Sequence, residues 1–267
     1  MEFRDLKAAL LDLDGVMYRG NQLCHGAAEL VAFLREQELR PFFLSNNSRS
    51  GPEVVAQKLT SLGVPTSANE VITAAELLVD DRARHQPKGR LAAIASDWIC
   101  EQLTAAGWEV VDDGPADCLV VGLDHDLTYA KLQAALNALL SGAEFIAVNH
   151  DRVNPIQHTL EPGCGAIAAA LSNACGRPSR CIGKPSQEML RRALTRLGLD
   201  AAQAVMVGDS LDSDMPMARA GGAHSTLVLS GQTSRGDVDR LPDSELPELV
   251  LEDVAELHQR WQAALQH

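Results

Sequence analysis

The chain has 267 residues, 46% of them hydrophobic and 22% charged, enough for one large domain or two ordinary ones with a buried core. A net charge of -13 with no long acidic block argues against nucleic acid as a partner, because phosphate backbones are held by clustered Lys and Arg. No apolar stretch is long enough to span a bilayer, and Met1-Glu2-Phe3-Arg4-Asp5 lacks the start of a signal peptide, so no membrane contact is expected and the location is read as cytoplasmic. The six cysteines (Cys24, Cys100, Cys118, Cys164, Cys175, Cys181) are scattered, without a Cys-x-x-Cys pair, as suits thiols of a cytosolic protein and not a disulfide frame or zinc site.

The run from Lys7 to Leu11 reads as a buried parallel strand that delivers Asp12 and Asp14 at its carboxyl end, before Gly15 turns the backbone. Side chains alternate along a strand, so the two aspartates share one face if the chain stays extended. A turn-rich connector from Met17 to His25 precedes a helix over Gly26 to Gln37. The strand Arg40 to Leu44 follows, ending in Ser45-Asn46-Asn47-Ser48. A helix from Pro52 to Leu62 and a strand from Glu70 to Thr73 complete a β-α-β-α-β pattern, which implies a mainly parallel sheet. Near Glu76 the character shifts. A helix through Leu77, Leu78 and Val79 meets the charged stretch Asp80 to Gly89, and a second α/β series begins. Its strands are expected at Leu91–Ala95, Glu109–Val111, Cys118–Gly122 and Glu144–Val148. Its helices are expected at Asp97–Ala106, Thr128–Leu140 and Gly165–Cys175, with Asp97 and Thr128 as N-caps. Gly183-Lys184-Pro185 opens a helix from Ser186 to Leu197. The strand Ala204–Val207 then delivers Gly208-Asp209-Ser210-Leu211-Asp212-Ser213-Asp214, and a helix from Pro216, a strand Ser225–Leu229 and a helix from about Val254 close the chain.

The fold class is α/β. The division expected is a Rossmann-like parallel-sheet core over residues 1–75 and 182–267, with an α/β domain of residues 76–181 inserted into it. Four polar clusters then sit at strand ends or helix starts of the core, namely Asp12/Asp14, Ser45/Asn46, Lys184 and Asp209/Asp214. Ligands bind outside the carboxyl ends of strands in open α/β sheets, and buried paired carboxylates need neutralising, so the clusters point to a metal and phosphate site.

In order and spacing, Asp12-Leu13-Asp14-Gly15-Val16, Ser45-Asn46-Asn47, Gly183-Lys184-Pro185 and Val207 to Asp214 resemble the four motifs of the haloacid dehalogenase (HAD) superfamily. The inserted region resembles the large α/β cap of its NagD-like, or p-nitrophenylphosphatase-like, branch. The segments that carry this are Val121-Gly122-Leu123-Asp124, Gly142 to Ala147 and Pro162-Gly163-Cys164-Gly165. The resemblance implies a Mg²⁺-dependent phosphatase, with a small phosphorylated metabolite as partner and an aspartyl-phosphate intermediate. Asp12 is then the nucleophile and Asp14 the acid/base. Ser45, Asn46 and Asn47 with Lys184 take the phosphate. Asp12, Asp14 (by its backbone carbonyl) and Asp209 hold the metal, and Asp214 holds its waters or orients Lys184. Caps of such branches often dimerise, which makes a homodimer through the cap an expectation. Asn149 and Asp151 are the cap residues chosen as nearest the substrate, although an Asn and an Asp after a strand are more often turn formers. The lone histidines His150 and His158 read as solvated. A phosphotransferase or mutase could use the same intermediate, and a phosphoacceptor or sensing module could hold the phosphoryl group without turnover. Asp14 as a water activator favours hydrolysis.

Overall fold

The computed structural model describes residues 1–85, 89–156 and 159–266; His158 and Gln86-Pro87-Lys88 lie outside the described residues. The chain divides into two compact units. One comprises Met1–Ser45, Val55–Val71 and Pro185–His267, the other Asn46–Val54 and Ile72–Lys184.

The larger sheet has six strands in the order Leu249–Leu251, His224–Val228, Ala204–Gly208, Ala8–Leu11, Arg40–Ser45, Val71–Thr73. Ala8–Leu11 and Ala204–Gly208 are buried along their whole length, which is why both read as unbroken apolar runs. Ala8–Leu11 lies between two parallel partners, with Leu11 opposite Val207 on one side and Phe43 on the other. That register brings Asp12, Ser45 and Asp209 to the same end of the sheet. Helix Ala27–Glu36 turns Leu30, Val31, Phe33 and Leu34 inward. The closing helix Val254–Gln266 does the same with Val254, Leu257 and Trp261, the last wholly buried with its ring 5.4 Å from that of Phe3. Each such side chain contributes roughly 1.5–3 kcal/mol by leaving water.

The second unit is built on a five-stranded parallel sheet in the order Arg180–Cys181, Glu144–Ala147, Cys118–Val121, Arg90–Ile94, Glu109–Val111. Helices Ala74–Arg84, Asp97–Ala105, Tyr129–Leu140 and Cys164–Cys175 belong to it. The segment Asn46–Val54 is tied into this unit by backbone acceptors. The Ala75 N–H donates to the Asn47 carbonyl (3.0 Å), the Thr73 hydroxyl to that of Ser50 (3.0 Å) and the Ser96 hydroxyl to that of Arg49 (2.6 Å). No described helix is long and apolar enough to cross a membrane.

Several local expectations need correcting. Thr128 is the N-cap of its helix, accepting the Lys131 N–H, but Ser96 and not Asp97 caps the helix Asp97–Ala105, accepting from Ile99. Ser96 has the extended backbone a cap requires, and Asp97 falls into the first turn, where its carboxylate meets the positive end of the helix. The connector after Asp14 contains a small antiparallel hairpin, Tyr18–Arg19 with Gln22–Leu23. A second hairpin, Val153–Ile156 with Thr159–Pro162, has a proline in each strand, a residue that hides a strand from pattern reading. The edge strands Leu249–Leu251 and Arg180–Cys181 are too short to show a period and owe their form to a longer neighbour.

Arg82 holds the second unit together from inside. Its buried guanidinium donates to Asp81 (2.7 Å) and Glu144 (2.7 Å), and Arg180 donates to the same two carboxylates at 2.9 and 3.1 Å. Burial raises the Asp81 carboxyl, but hydrogen bonds from Arg180 and Arg82 outweigh it and hold the group below its ordinary range. A carboxyl depressed in the folded state adds stability above its unfolded pKa and loses it as pH falls through the folded one. Arg82→Met is therefore expected to cost roughly 1.5–3 kcal/mol in urea unfolding at neutral pH, by removing one of the two guanidinium groups that Asp81 and Glu144 share. The loss of stability on acidification should be shallower in the variant than in the parent.

Candidate active site

Three carboxylates meet at the carboxyl end of the larger sheet. Asp12 follows the central strand, Asp209 follows Ala204–Gly208, and Asp214 begins the helix Asp214–Gly221. One oxygen from each lies within 4.8 Å of the other two, and all three residues are buried, Asp214 completely. Like charges so close in a low-dielectric setting repel unless a cation or protons intervene. The surroundings already commit part of the group, since Gln232 N–H donates to Asp209 Oδ2 (2.7 Å) and Ser210 N–H to Asp214 Oδ2 (3.2 Å). Hard, anionic, converging oxygens are the donor set that Mg²⁺ takes, and these three residues fit such an ion.

Asp14 does not stay on that face. The pairing of the central strand ends at Leu11, the Asp12 N–H still reaches the Val207 carbonyl (2.9 Å), and the chain then turns, with Met17 N–H donating to Leu13 (2.8 Å). Gly15 permits this at φ +84°, and a Cβ there would come within 2.8 Å of the Gly231 Cα. The result separates the two aspartates by environment, Asp12 buried and Asp14 exposed. Asp14 bridges to Tyr18, whose phenol is pushed up by burial and by the charges of Asp14 and Asp12. The Lys58 ammonium lies 3.6 Å from the centre of the Tyr18 ring; burial lowers its pKa and the charge of Asp14 opposes the shift.

A loop that the sequence reading passed over supports this end of the sheet. Beyond His224–Val228, the Ser230 hydroxyl donates to the Gly15 carbonyl (2.7 Å) and the Thr233 hydroxyl to the Asp209 carbonyl (2.5 Å). The signal was present, because Ser230-Gly231-Gln232-Thr233 is one more polar, glycine-containing stretch after an apolar core strand.

Apart from Ser45, which ends its strand in the first unit, the remaining candidates gather within the second unit. Ser45 is the last residue of its strand and is buried; Asn46 opens the next segment. The Asn46 amide donates to both oxygens of Asp151 (3.1 Å each) and to the Lys184 carbonyl (3.3 Å), and its Oδ1 accepts the Lys184 N–H (2.8 Å). Asn149 is 1% exposed and donates to the Asn46 carbonyl at 2.6 Å. Asn47 accepts the N–H groups of Arg49 (2.9 Å) and Ser50 (3.0 Å), which folds the segment after it into a tight turn. Lys184 is buried. Exposed His150 shares a hydrogen bond with the Ser179 hydroxyl at 2.9 Å. Burial pushes the thiols of Cys118, Cys164 and Cys181 up to about 12, which removes them as thiolate nucleophiles near neutral pH.

Comparison with known proteins agrees with this geometry. Residues 9–109 match the model of the haloacid dehalogenase-like hydrolases, and residues 181–257 match a HAD-hydrolase-like model. An acid sugar phosphatase of Staphylococcus saprophyticus is 35% identical over 237 residues, covering 89% of this chain and 92% of that protein. Among solved structures, a p-nitrophenyl phosphatase from Archaeoglobus fulgidus superposes with a TM-score of 0.86 at 32% identity, covering 96% of this chain and 99% of that one. A glycerol phosphate phosphatase from Mycobacterium tuberculosis, in complex with magnesium, gives 0.88 at 30% identity over 97% and 78% of the two chains. NagD from E. coli K-12 gives 0.84 at 28% identity over 94% and 98%. The chain belongs to the haloacid dehalogenase superfamily, as a NagD-like phosphatase and hence a phosphoric monoester hydrolase.

Proposed function

We propose that this phosphatase requires Mg²⁺ and hydrolyses a small phosphorylated metabolite of the sugar- or glycerol-phosphate class through an aspartyl-phosphate on Asp12. The observation that carries the proposal is the buried convergence of Asp12, Asp209 and Asp214 beside an exposed Asp14. The substrate class draws on the relatives named for sugar and glycerol phosphates. Residues 76–181 serve in this reading as the inserted cap.

The Asp12 and Asp209 carboxylates and the Asp14 backbone carbonyl would hold the cation, with Asp214 behind them. Bound there, Mg²⁺ screens the repulsion between an anionic nucleophile and an anionic phosphate. A carboxylate oxygen of Asp12 attacks phosphorus in line, forming a P–O bond as the ester P–O bond breaks. Asp14 gives its proton to the departing alkoxide oxygen. Exposure lets Asp14 exchange protons with solvent, and its ionised carboxylate then takes a proton from water. That water's oxygen attacks phosphorus, the bond to Asp12 breaks, and inorganic phosphate leaves with Asp12 restored. Ser45, the backbone of Asn46 and the turn shaped by Asn47 supply donors to the phosphoryl oxygens, and Lys184 supplies a compact positive charge.

The same proposal includes a cytoplasmic location and a homodimer formed through the cap. Six free thiols support the first, and the exposed Tyr129 (85%), Leu140 and Leu160 of the second unit support the second. Sedimentation equilibrium at micromolar concentration is expected to return twice the chain mass, and a monomer would remove the dimer from the proposal.

Phosphate release from a panel of phosphorylated sugars and polyols should show many turnovers per chain with Mg²⁺ and none with chelator. Asp12→Asn should stop turnover. Asp14→Asn should slow it by roughly 10²–10⁴-fold while Tm stays within a few degrees. A parent that retains one phosphoryl group per chain without releasing it would sink the hydrolytic mechanism and favour a phosphoacceptor.

A further inference from the structure

The side chain of Asn46 has a role that its motif does not specify. Its two polar atoms bracket one residue, the Oδ1 accepting the Lys184 N–H at 2.8 Å and the Nδ2 donating to the Lys184 carbonyl at 3.3 Å. The same Nδ2 faces the Asp151 carboxylate, 3.1 Å from each oxygen. A carboxylate on one side and an N–H on the other leave one way for the amide to point. Asn149 closes the network, with Nδ2 donating to the Asn46 carbonyl (2.6 Å) and Oδ1 accepting the Asp151 N–H (3.0 Å).

The parallel sheet explains why these groups meet. Cys181 is opposite Ala147, and the ladder continues through Ile182 N–H to Ala147 and Gly183 N–H to Val148 at 2.7 Å. Asn149 and Lys184 therefore emerge side by side from neighbouring strand ends. Gly183 is what allows the approach, since a Cβ there would lie 2.6 Å from Asn46 Oδ1 and 2.9 Å from the Ala74 Cβ.

We propose that Asn46, held by Asn149 and Asp151, is a positioning residue that anchors the backbone root of Lys184. The proposal rests on the phosphatase mechanism above, which assigns Lys184 the phosphate charge. A lysine carries its ammonium on a flexible four-carbon stem and acts as a point charge, so its placement depends on how firmly its Cα is held. At 2% exposure Lys184 is committed to an interior site, where a small displacement of its root shifts the charge against the phosphate. Asn149 and Asp151 thus act through Asn46 and need no contact with substrate.

The test is a set of double-mutant cycles with Mg²⁺ and p-nitrophenyl phosphate, with Tm followed in parallel. Asn46→Ala and Asp151→Ala should each lower kcat/KM by about 10–10²-fold. Each should cost less than threefold further in a Lys184→Ala background, because the group it anchors is gone. Full, additive losses in that background would overturn the proposal. The exchange of donor and acceptor provides a second arm should Asn46→Ala fail to fold. Asn46→Asp sets two carboxylates face to face and should be impaired, and adding Asp151→Asn restores the hydrogen bond in reverse and should recover at least tenfold. An absent recovery in a folded double variant also overturns it. A parent without turnover would instead refute the phosphatase mechanism, and this role with it.

Discussion

Mutual repulsion among Asp12, Asp209 and Asp214 is the constraint on which the first unit turns. Three buried carboxylates within 4.8 Å of one another are tolerable where backbone N–H groups and a counter-charge face them. The fold meets the first requirement with the Ser210 and Gln232 amides, and it brings the carboxylates together by ending parallel strands at one level. The flanking core is arranged around that level. The central strands are buried on both faces, and the closing helix with Trp261 seals one side of the unit.

Difference of environment matters as much as proximity. Asp12 and Asp14 are two residues apart and chemically equivalent on paper, yet the turn at Gly15 leaves one buried and the other in solvent. The two carboxyl groups therefore differ in what can reach them, the first lying in the buried carboxylate cluster and the second facing solvent. Tyr18 and Lys58 add an apolar and a cationic neighbour on the Asp14 side.

The core of this arrangement was legible in the sequence because it is local. A buried strand ending in Asp-x-Asp-Gly, and another ending in Gly-Asp with a further Asp five residues on, carry both the apolar pattern and the polar end. The family resemblance follows from the order of four such segments. Features that depend on a distant partner were not legible. Ser96 caps its helix where Asp97 was expected, because the backbone geometry before the first turn decides between two good capping residues. The proline-containing hairpin of residues 153–162 exists through its cross-strand pairs, Asn154 with Glu161 among them. The cap resemblance marks Asn149 and Asp151 as residues to face a substrate, while an Asn and an Asp after a strand are more often turn formers. Their bonds to Asn46 are a property of two strand ends that lie far apart in the chain.

The central position of Ala8–Leu11 has a consequence for biosynthesis. This strand is made well before its partner Ala204–Gly208, with the strands of the second unit's sheet synthesised in between. The five-stranded sheet of the second unit draws on residues 90–181 alone and can close earlier, through contacts of modest separation. The nascent chain therefore carries an apolar, unpaired strand edge throughout synthesis of the second unit's sheet, with Arg40–Ser45 as its early neighbour. Slow elongation between the two strands would prolong that exposure, so the yield of folded protein should depend on how quickly the stretch from Leu11 to Ala204 is translated.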